Sequence, residues 1–455
     1  MSDRQRYTAH TRGLLTLGLP LIGGHLAQLG LHVTDTILLG RYGVDELAAA
    51  VLATSYFFVL FIFGSGFAIA VMGMVAASLG RGDEAQVRRD TRMGLWLSIL
   101  FGAAVLPLFV WSKPVLLALG QRQELAGLAQ DFLRLSGPGI VPALLVMVLK
   151  SYLAALERTQ VVLWITLTGV AVNAALGWAL IFGNWGAPEM GLRGSALATL
   201  AVQVLSFVLL TLYAAWLPQT RRFHLFRNFW RPDWPALALV FRIGLPIGVT
   251  GVAESGLFIA AALMMGWIGT VELAAHGIAM EAAALAFMVH LGLSNAATVR
   301  VGRAHGEGDQ TGMREVAAVS VALSMLVAAL VIGLFLTIPR EIIGLFLDRA
   351  KPDAEAILAF GTALLAVAAL FQLFDAMQVM ALGFLRGVQD TRVPMWLAAF
   401  SYWGIGIPAS YLLAFPLGFG GVGLWLGLVI GLVAASGSLM WRFWSGPAAR
   451  SRAAP

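Results

Sequence analysis

The sequence predicts an all-α, polytopic membrane protein with twelve transmembrane helices in two pseudo-symmetric six-helix lobes. Three observations predict it. The chain is 455 residues long, 59% apolar and 12% charged, against about 25% charged in an average soluble domain. Apolar stretches long enough to cross a bilayer recur along its whole length, and each needs about 18 or more residues to do so. Only helices of that length satisfy their own backbone groups in lipid. Third, the chain contains itself twice.

The repeat is ungapped. Gly18-Leu19-Pro20 recurs 226 residues later as Gly244-Leu245-Pro246, and Glu46-Leu47-Ala48-Ala49 as Glu272-Leu273-Ala274-Ala275. Gly80, Gly82 and Asp83 return as Gly306, Gly308 and Asp309. Over 18–83 against 244–309, twenty of sixty-six positions are identical. Shared Leu, Ala and Gly alone would not keep Pro and acidic residues in register. A hydrophobic chain of two similar halves has the pattern of a transporter with its site between the halves.

Helices are expected over 14–39, 48–79, 93–117, 128–156, 161–183, 192–216, 238–266, 273–302, 315–338, 355–385, 393–415 and 421–443. The longest connection carries Arg221, Arg222, Arg227 and Arg231 among Pro and Trp. It falls between the sixth and seventh spans, where a linker between halves belongs. The domain reading is an N-lobe over 1–217, a cytoplasmic linker over 218–236 and a C-lobe over 237–455. With the N-terminus inside, the inner segments and helix ends carry 20 Lys and Arg, the outer ones 7. That bias puts both termini in the cytoplasm. An even span count makes the halves parallel repeats about an axis along the membrane normal.

Other classes fall away. The net charge of +6 is spread over short loops, so no nucleic-acid partner is expected. Zero Cys removes disulfides, thiolate nucleophiles and thiolate metal sites. The first apolar run is too long for a cleaved signal peptide. Gly80-Arg81-Gly82-Asp83 and Gly306-Glu307-Gly308-Asp309 lack the Lys-Ser/Thr of a phosphate loop and read as tight turns. No zincin, kinase or nucleophile-elbow signature is present, so the chain is not expected to be an enzyme.

Ionisable groups inside the bilayer carry the functional reading, because each is costly there. Asp35 lies in the outer part of span one, with His32, Gln28 and His25 on the same helix face. Pro20, within that helix, and its counterpart Pro246 permit bends. Glu254 takes the repeat position of Gln28, while Asp35 is replaced by Ala261. The halves therefore carry acids at different depths, which suggests two jobs. Asp375 lies in the middle of span ten, with no basic residue of that helix within two turns. A desolvated, unpaired carboxyl favours its neutral form, which suits a group that takes and releases protons. Glu281, Asn173, Thr199 and Gln378 are accessory polar candidates. Lys150 is assigned a structural role, and His276 and His290 read as satisfied core residues. No metal is expected beyond a sodium ion.

These residues resemble the multidrug and toxic compound extrusion (MATE) family, in its NorM-type bacterial branch. The resemblance spans nearly the whole chain. It is most specific in span one with Pro20 and Asp35, the Glu-Leu-Ala-Ala stretches, "SNAATVRVGRAHGEGD" at 294–309 and "FDAMQVMALGFLRGVQDTRVP" at 374–394. It implies two six-helix lobes in a V around a central cavity, in the bacterial inner membrane. It implies export of cationic, amphipathic compounds in exchange for sodium or protons, with no organic cofactor. Asp35 matches the family's N-lobe acid, and Glu254 with Asp375 the C-lobe pair. Asn173 resembles the Asn of the N-lobe ion site.

Two departures bear on the ion. The family often places an Asp one turn after that Asn, where this chain has Gly177. NorM relatives often place a Tyr one turn before the helix-ten Asp, where this chain has Phe371. Each removes an oxygen ligand; sodium prefers several, a proton needs one carboxylate. Protons are therefore preferred over sodium. The alternatives are a flippase for lipids or polyprenyl-linked glycans, disfavoured by the acidic site residues, and a membrane-embedded lipid-modifying enzyme, for which no clustered motif exists. The expected partners are small cationic substrates and membrane lipids, with the protein acting as a monomer.

Overall fold

The computed structural model describes residues 3–347 and 352–447. Arg349, Lys351, Arg450 and Arg452, used in the orientation count, lie outside the described residues. Twelve described helices are long and apolar enough to span a bilayer: α1 (Arg4–Tyr42), α2 (Val44–Gly80), α3 (Glu84–Val110), α4 (Gln123–Ala155), α5 (Thr159–Phe182), α6 (Leu192–Trp216), α7 (Trp234–Ile268), α8 (Thr270–Glu307), α9 (Gln310–Thr337), α10 (Ala354–Gly387), α11 (Arg392–Ala414) and α12 (Gly420–Ser445). Their number and order match the sequence reading.

Several helices extend beyond the expected bounds, α1 starting at Arg4 rather than 14 and α3 at Glu84 rather than 93, and one ends well short. The third span was expected to run to 117, but it ends at Val110, and Ser112–Ala118 is a separate short helix. Pro107 sits in the last turn of α3, and Trp111 leaves the helical region at φ −111°, ψ 41°. Arg134 Nε donates to the Val110 carbonyl at 3.1 Å and satisfies that helix end. The two Gly-x-Gly-Asp segments are turns that cap the next helix. Gly82 and Gly308 take left-handed φ values of 74° and 75°, open to glycine at no steric cost. Asp83 then accepts from Gln86 N at 2.9 Å, and Asp309 from Gly312 N at 2.8 Å.

The chain packs as two compact units. One is Gly23–Gly248; the other joins the start of the chain through Ile22 with the stretch from Val249 onward. The sequence-based lobes follow chain order and place the linker at 218–236. Along the chain, the compact units meet inside α1 and α7. Ile22 and Gly248 are repeat equivalents, each two residues after a helix-interior proline, Pro20 or Pro246.

Two devices assign the leading turns of α1 and α7, and both are doubled by the repeat. The first is an ion pair with its charges exchanged. Asp233, just before α7, receives Arg89 Nη2 of α3 at 3.1 Å. The equivalent of Arg89 is Glu315 of α9, which pairs with Arg6 Nη1 at 3.4 Å and His10 Nε2 at 3.2 Å, both from the lead of α1. The Arg89 hydrogen bonds hold the Asp233 carboxyl below the usual carboxylate range. The pair therefore contributes fully above the unfolded-state value of about 3.9, and its contribution is lost only as pH falls through the lower folded value.

The second device is a glycine crossing. A Cβ on Gly66 of α2 would overlap the backbone of Gly248 and stand 2.5 Å from Gly244 O, in the lead of α7. Its repeat equivalent, Gly292 of α8, would put a Cβ 2.7 Å from Ile22 N, in the lead of α1. Small residues allow such close backbone approach in membranes. Gly292→Leu is expected to destabilise the protein by at least about 2 kcal/mol through overpacking. A thermal unfolding midpoint in detergent equal to wild type would show that α1 need not lie there.

Each unit has its own core. Leu39, Phe109, Leu133, Ile140, Leu144 and Ile181 centre the first. Met265, Ala279, Leu364, Phe371, Tyr402 and Trp425 centre the second.

Candidate functional site

In the Gly23–Gly248 unit, the second half of α1 carries Asp35 to the packed pair α5 and α6. Asn173 of α5, buried at 1% exposure, donates through Nδ2 to Asp35 Oδ1 at 2.7 Å. Thr199 Oγ1 of α6 donates to Asp35 Oδ2 at 3.4 Å. Asn173 Oδ1 has no partner. An amide that offers a donor on one side and a free acceptor on the other can serve both states of a carboxyl: Nδ2 to the anion, Oδ1 to the protonated acid. The structure thus joins three residues separated by up to 164 positions. Gln28, half-buried, and His32, exposed, make no hydrogen bond among the described residues. His25 interacts electrostatically with Lys150, and Lys150 forms no ion pair among the described residues.

Gly177 is one turn beyond Asn173 on α5. A Cβ there would stand 2.8 Å from Leu38 Cδ1. The Leu38 methyl thus occupies the space an aspartate at this position would need.

The second unit builds a different cluster from α7, α10 and α11. Gln378 Nε2 donates to Glu254 Oε1 at 2.9 Å. Asp375 lies one turn earlier on α10, 2% exposed, with Glu254 as its electrostatic neighbour. Asp375 Oδ1 and Gln378 Oε1 are both buried without a hydrogen-bond partner. Orphaned buried acceptors are uncommon and costly, so they call for a reason. Gln372, on the same helix, ties its Nε2 to the Ala283 carbonyl of α8 at 3.2 Å.

Sequence reasoning missed three residues here. Tyr402 is fully buried beside Glu254, Asp375, Arg386 and Gln378, with its hydroxyl near the Gln378 amide but in no well-aligned hydrogen bond. It belongs to a π-helical stretch of α11, Phe400–Gly406, a distortion common at functional sites. Trp403 in that stretch donates Nε1 to the Ala253 carbonyl at 3.0 Å, next to Glu254. Arg386, one residue beyond the expected end of span ten at 385, lies in the last turn of α10 within electrostatic reach of Glu254. The only sequence signal for Tyr402 was an aromatic and glycine run inside a span.

Phe371 packs edge-on against Trp425 at 5.5 Å and against Phe258 at 6.1 Å. Trp425 Nε1 in turn donates to His276 Nδ1 at 3.0 Å. His290 Nδ1 pairs with Ser324 Oγ at 2.9 Å. Phe371 thus sits in an aromatic cluster, and both histidines are core residues. Glu281 is exposed, with no hydrogen bond or ion pair among the described residues. Among the described residues no three His, Asp or Glu side chains converge as a metal site.

The chain as a whole has counterparts among known proteins. The MatE family model matches residues 20–179 and 246–412, one copy in each half. A protein of Rhizobium meliloti (strain 1021) described as "Probable multidrug resistance protein NorM" is 48% identical over 437 residues, covering 96% of this chain and 94% of that one. A protein of the same description from Pseudomonas putida is 38% identical, covering 96% and 94%. Among solved structures, an outward-facing multidrug resistance MATE transporter superposes with TM-score 0.86 at 20% identity, covering 97% of both chains. A eukaryotic MATE transporter gives TM-score 0.84 at 20% identity, covering 98% and 99%. These structures establish the shared fold. The chain is a multi-pass membrane protein and belongs to the MatE family, the multidrug and toxic compound extrusion transporters, among its NorM-type members.

Proposed function

We propose that this multidrug transporter exports amphipathic organic cations by exchange with protons, using Asp35 in one unit and Glu254 with Asp375 in the other. The observation that carries the reading is the composition of the second cluster. It holds two carboxyls, with Arg386 as the cation in reach. Arg386 balances one carboxylate, and neutrality then needs one further positive charge, a proton or a bound cation. Proton and drug compete to supply that charge, which is the coupling that exchange requires.

Two features favour the proton over sodium. Leu38 fills the space beside Gly177, and an aromatic cluster surrounds Phe371. Both are apolar where sodium would want oxygen. The free Asn173 Oδ1 and the Tyr402 hydroxyl suit a carboxyl that alternates between two protonation states.

In the proposed cycle, protonation of Asp35 and of the Glu254/Asp375 pair from outside removes the counter-charge of the bound cation, which leaves. The neutral sites tolerate rearrangement to the inward-facing state. There the protons depart and the restored carboxylates attract a new cation. The bends allowed at Pro20 and Pro246 are the movers, and both termini face the cytoplasm of a bacterial inner membrane. The cycle needs no organic cofactor, nucleic acid or covalent chemistry, and a monomer suffices for it.

Competition has a direct signature. Ethidium added to the detergent-purified protein in weak buffer is expected to release protons, read by a pH indicator dye. Binding of ethidium with no proton release would remove the shared-site coupling.

A further inference from the structure

A polar cavity lined by none of the acid-cluster residues lies in the Gly23–Gly248 unit. It occupies about 530 Å³ between the start of α3 and the segment leading into α7. Arg88, Arg89, Arg92, Arg227 and Arg231 line it, against the single carboxylate of Asp233. Arg89 is committed to Asp233. Arg88, Arg227 and Arg231 make no ion pair among the described residues. Arg92 is 7% exposed. It donates Nη1 to the Asn228 carbonyl at 3.1 Å and stands 4.0 Å from Asp233, while its Nε is buried with no partner.

A topogenic excess of arginine would explain their number on one side of the membrane. It does not explain why arginines more than 130 positions apart converge on one cavity and leave a buried guanidinium donor unsatisfied. Nor does the scaffold demand it. At the equivalent positions in the second half, Arg88, Arg89 and Arg92 become Arg314, Glu315 and Ala318. There Glu315 pairs with Arg6 and His10.

Trp234 lines the cavity, and further aromatics neighbour its lining residues in sequence. Trp230 and Trp234 are exposed, at 79% and 68%, and Trp96 stacks on Phe229 at 5.9 Å and donates to its carbonyl. Trp234 is the first residue of the membrane helix α7, and exposed indoles at helix ends settle at the head-group level of a bilayer. A guanidinium-lined cavity at that level meets phosphate from the membrane, and basic pockets between transmembrane helices recognise such head groups.

We propose that this cavity binds the phosphate head group of an anionic phospholipid. Arg92 supplies the buried donor, Arg88, Arg227 and Arg231 supply the charge, and Trp230 and Trp234 seat the glycerol region. Bound lipid would fasten the lead of α7 to α3 next to the Arg89–Asp233 pair.

The test is native mass spectrometry of the full chain, released from micelles doped with equal amounts of phosphatidylglycerol and phosphatidylcholine. The wild type is expected to retain phosphatidylglycerol in preference. Arg88→Gln with Arg231→Gln, two partly or fully exposed changes, should weaken that retention about fivefold per arginine removed. Arg92→Gln should weaken it with the thermal midpoint checked alongside. Equal retention of the two lipids by the wild type would overturn the proposal without reference to any variant. So would undiminished retention in the double variant. Complete displacement of phosphatidylglycerol by millimolar inorganic phosphate would assign the cavity to a soluble anion and also overturn it.

Discussion

Asp375→Asn is expected to reduce proton-driven export of ethidium to the level of empty liposomes while the protein still reaches the membrane. Asparagine keeps the shape of the side chain, so the packed environment of Asp375 is little disturbed. It removes the group that exchanges a proton, and a buried group that cannot titrate cannot couple. Arg386 would still balance Glu254, so the cluster would be frozen in its neutral form whatever the pH on either side. Measured as initial efflux rate at matched protein density, full activity in this variant would remove Asp375 from the mechanism.

Asp35→Asn is expected to cause an equally severe loss of efflux with a different signature. The Asn173 and Thr199 contacts converge on this carboxyl in its own unit, and the Glu254/Asp375 cluster is built from other helices. Ethidium-induced proton release should therefore fall but persist in Asp35→Asn, and likewise in Asp375→Asn. It should vanish in the double variant. Sites that share no partners behave additively. If Asp35→Asn alone abolishes proton release, the two clusters titrate as one unit and the division of labour between the halves is wrong.

The fold was legible because the features that encode it are local. Apolar runs mark the helices, and Pro20/Pro246, Glu46/Glu272 and Asp83/Asp309 keep register across the repeat. The three acids were legible for the opposite reason: a charge in an apolar run stands out. Their partners were legible only in part. Asn173 and Gln378 are polar residues inside spans, and each meets its acid.

What stayed hidden depends on rotation and depth. Tyr402 reaches the acids from a π-helical stretch, which shifts the helical phase that regular spacing assumes. Arg386 fell just beyond the expected end of span ten, because two positions decide whether a helix end is inside or outside the packing. The division of α1 and α7 after Ile22 and Gly248 rests on charge-exchanged pairs and glycine crossings. Their partners lie far apart in the chain, by 144 residues for Arg89 and Asp233 and more for the others. Leu38 opposite Gly177 is of the same kind: a sequence can show that an oxygen is missing, but not what has taken its place.

The most direct test of the central claim is ethidium export by the purified protein in liposomes, driven by a proton gradient or a sodium gradient, one at a time, with the membrane potential clamped. The proposed mechanism predicts transport with the proton gradient and none above background with sodium. Transport driven by sodium alone would contradict it. It would mean that the oxygens of Asp35, Asn173 and Thr199, or of Glu254, Asp375 and Tyr402, suffice to hold that ion without the two ligands this chain lacks.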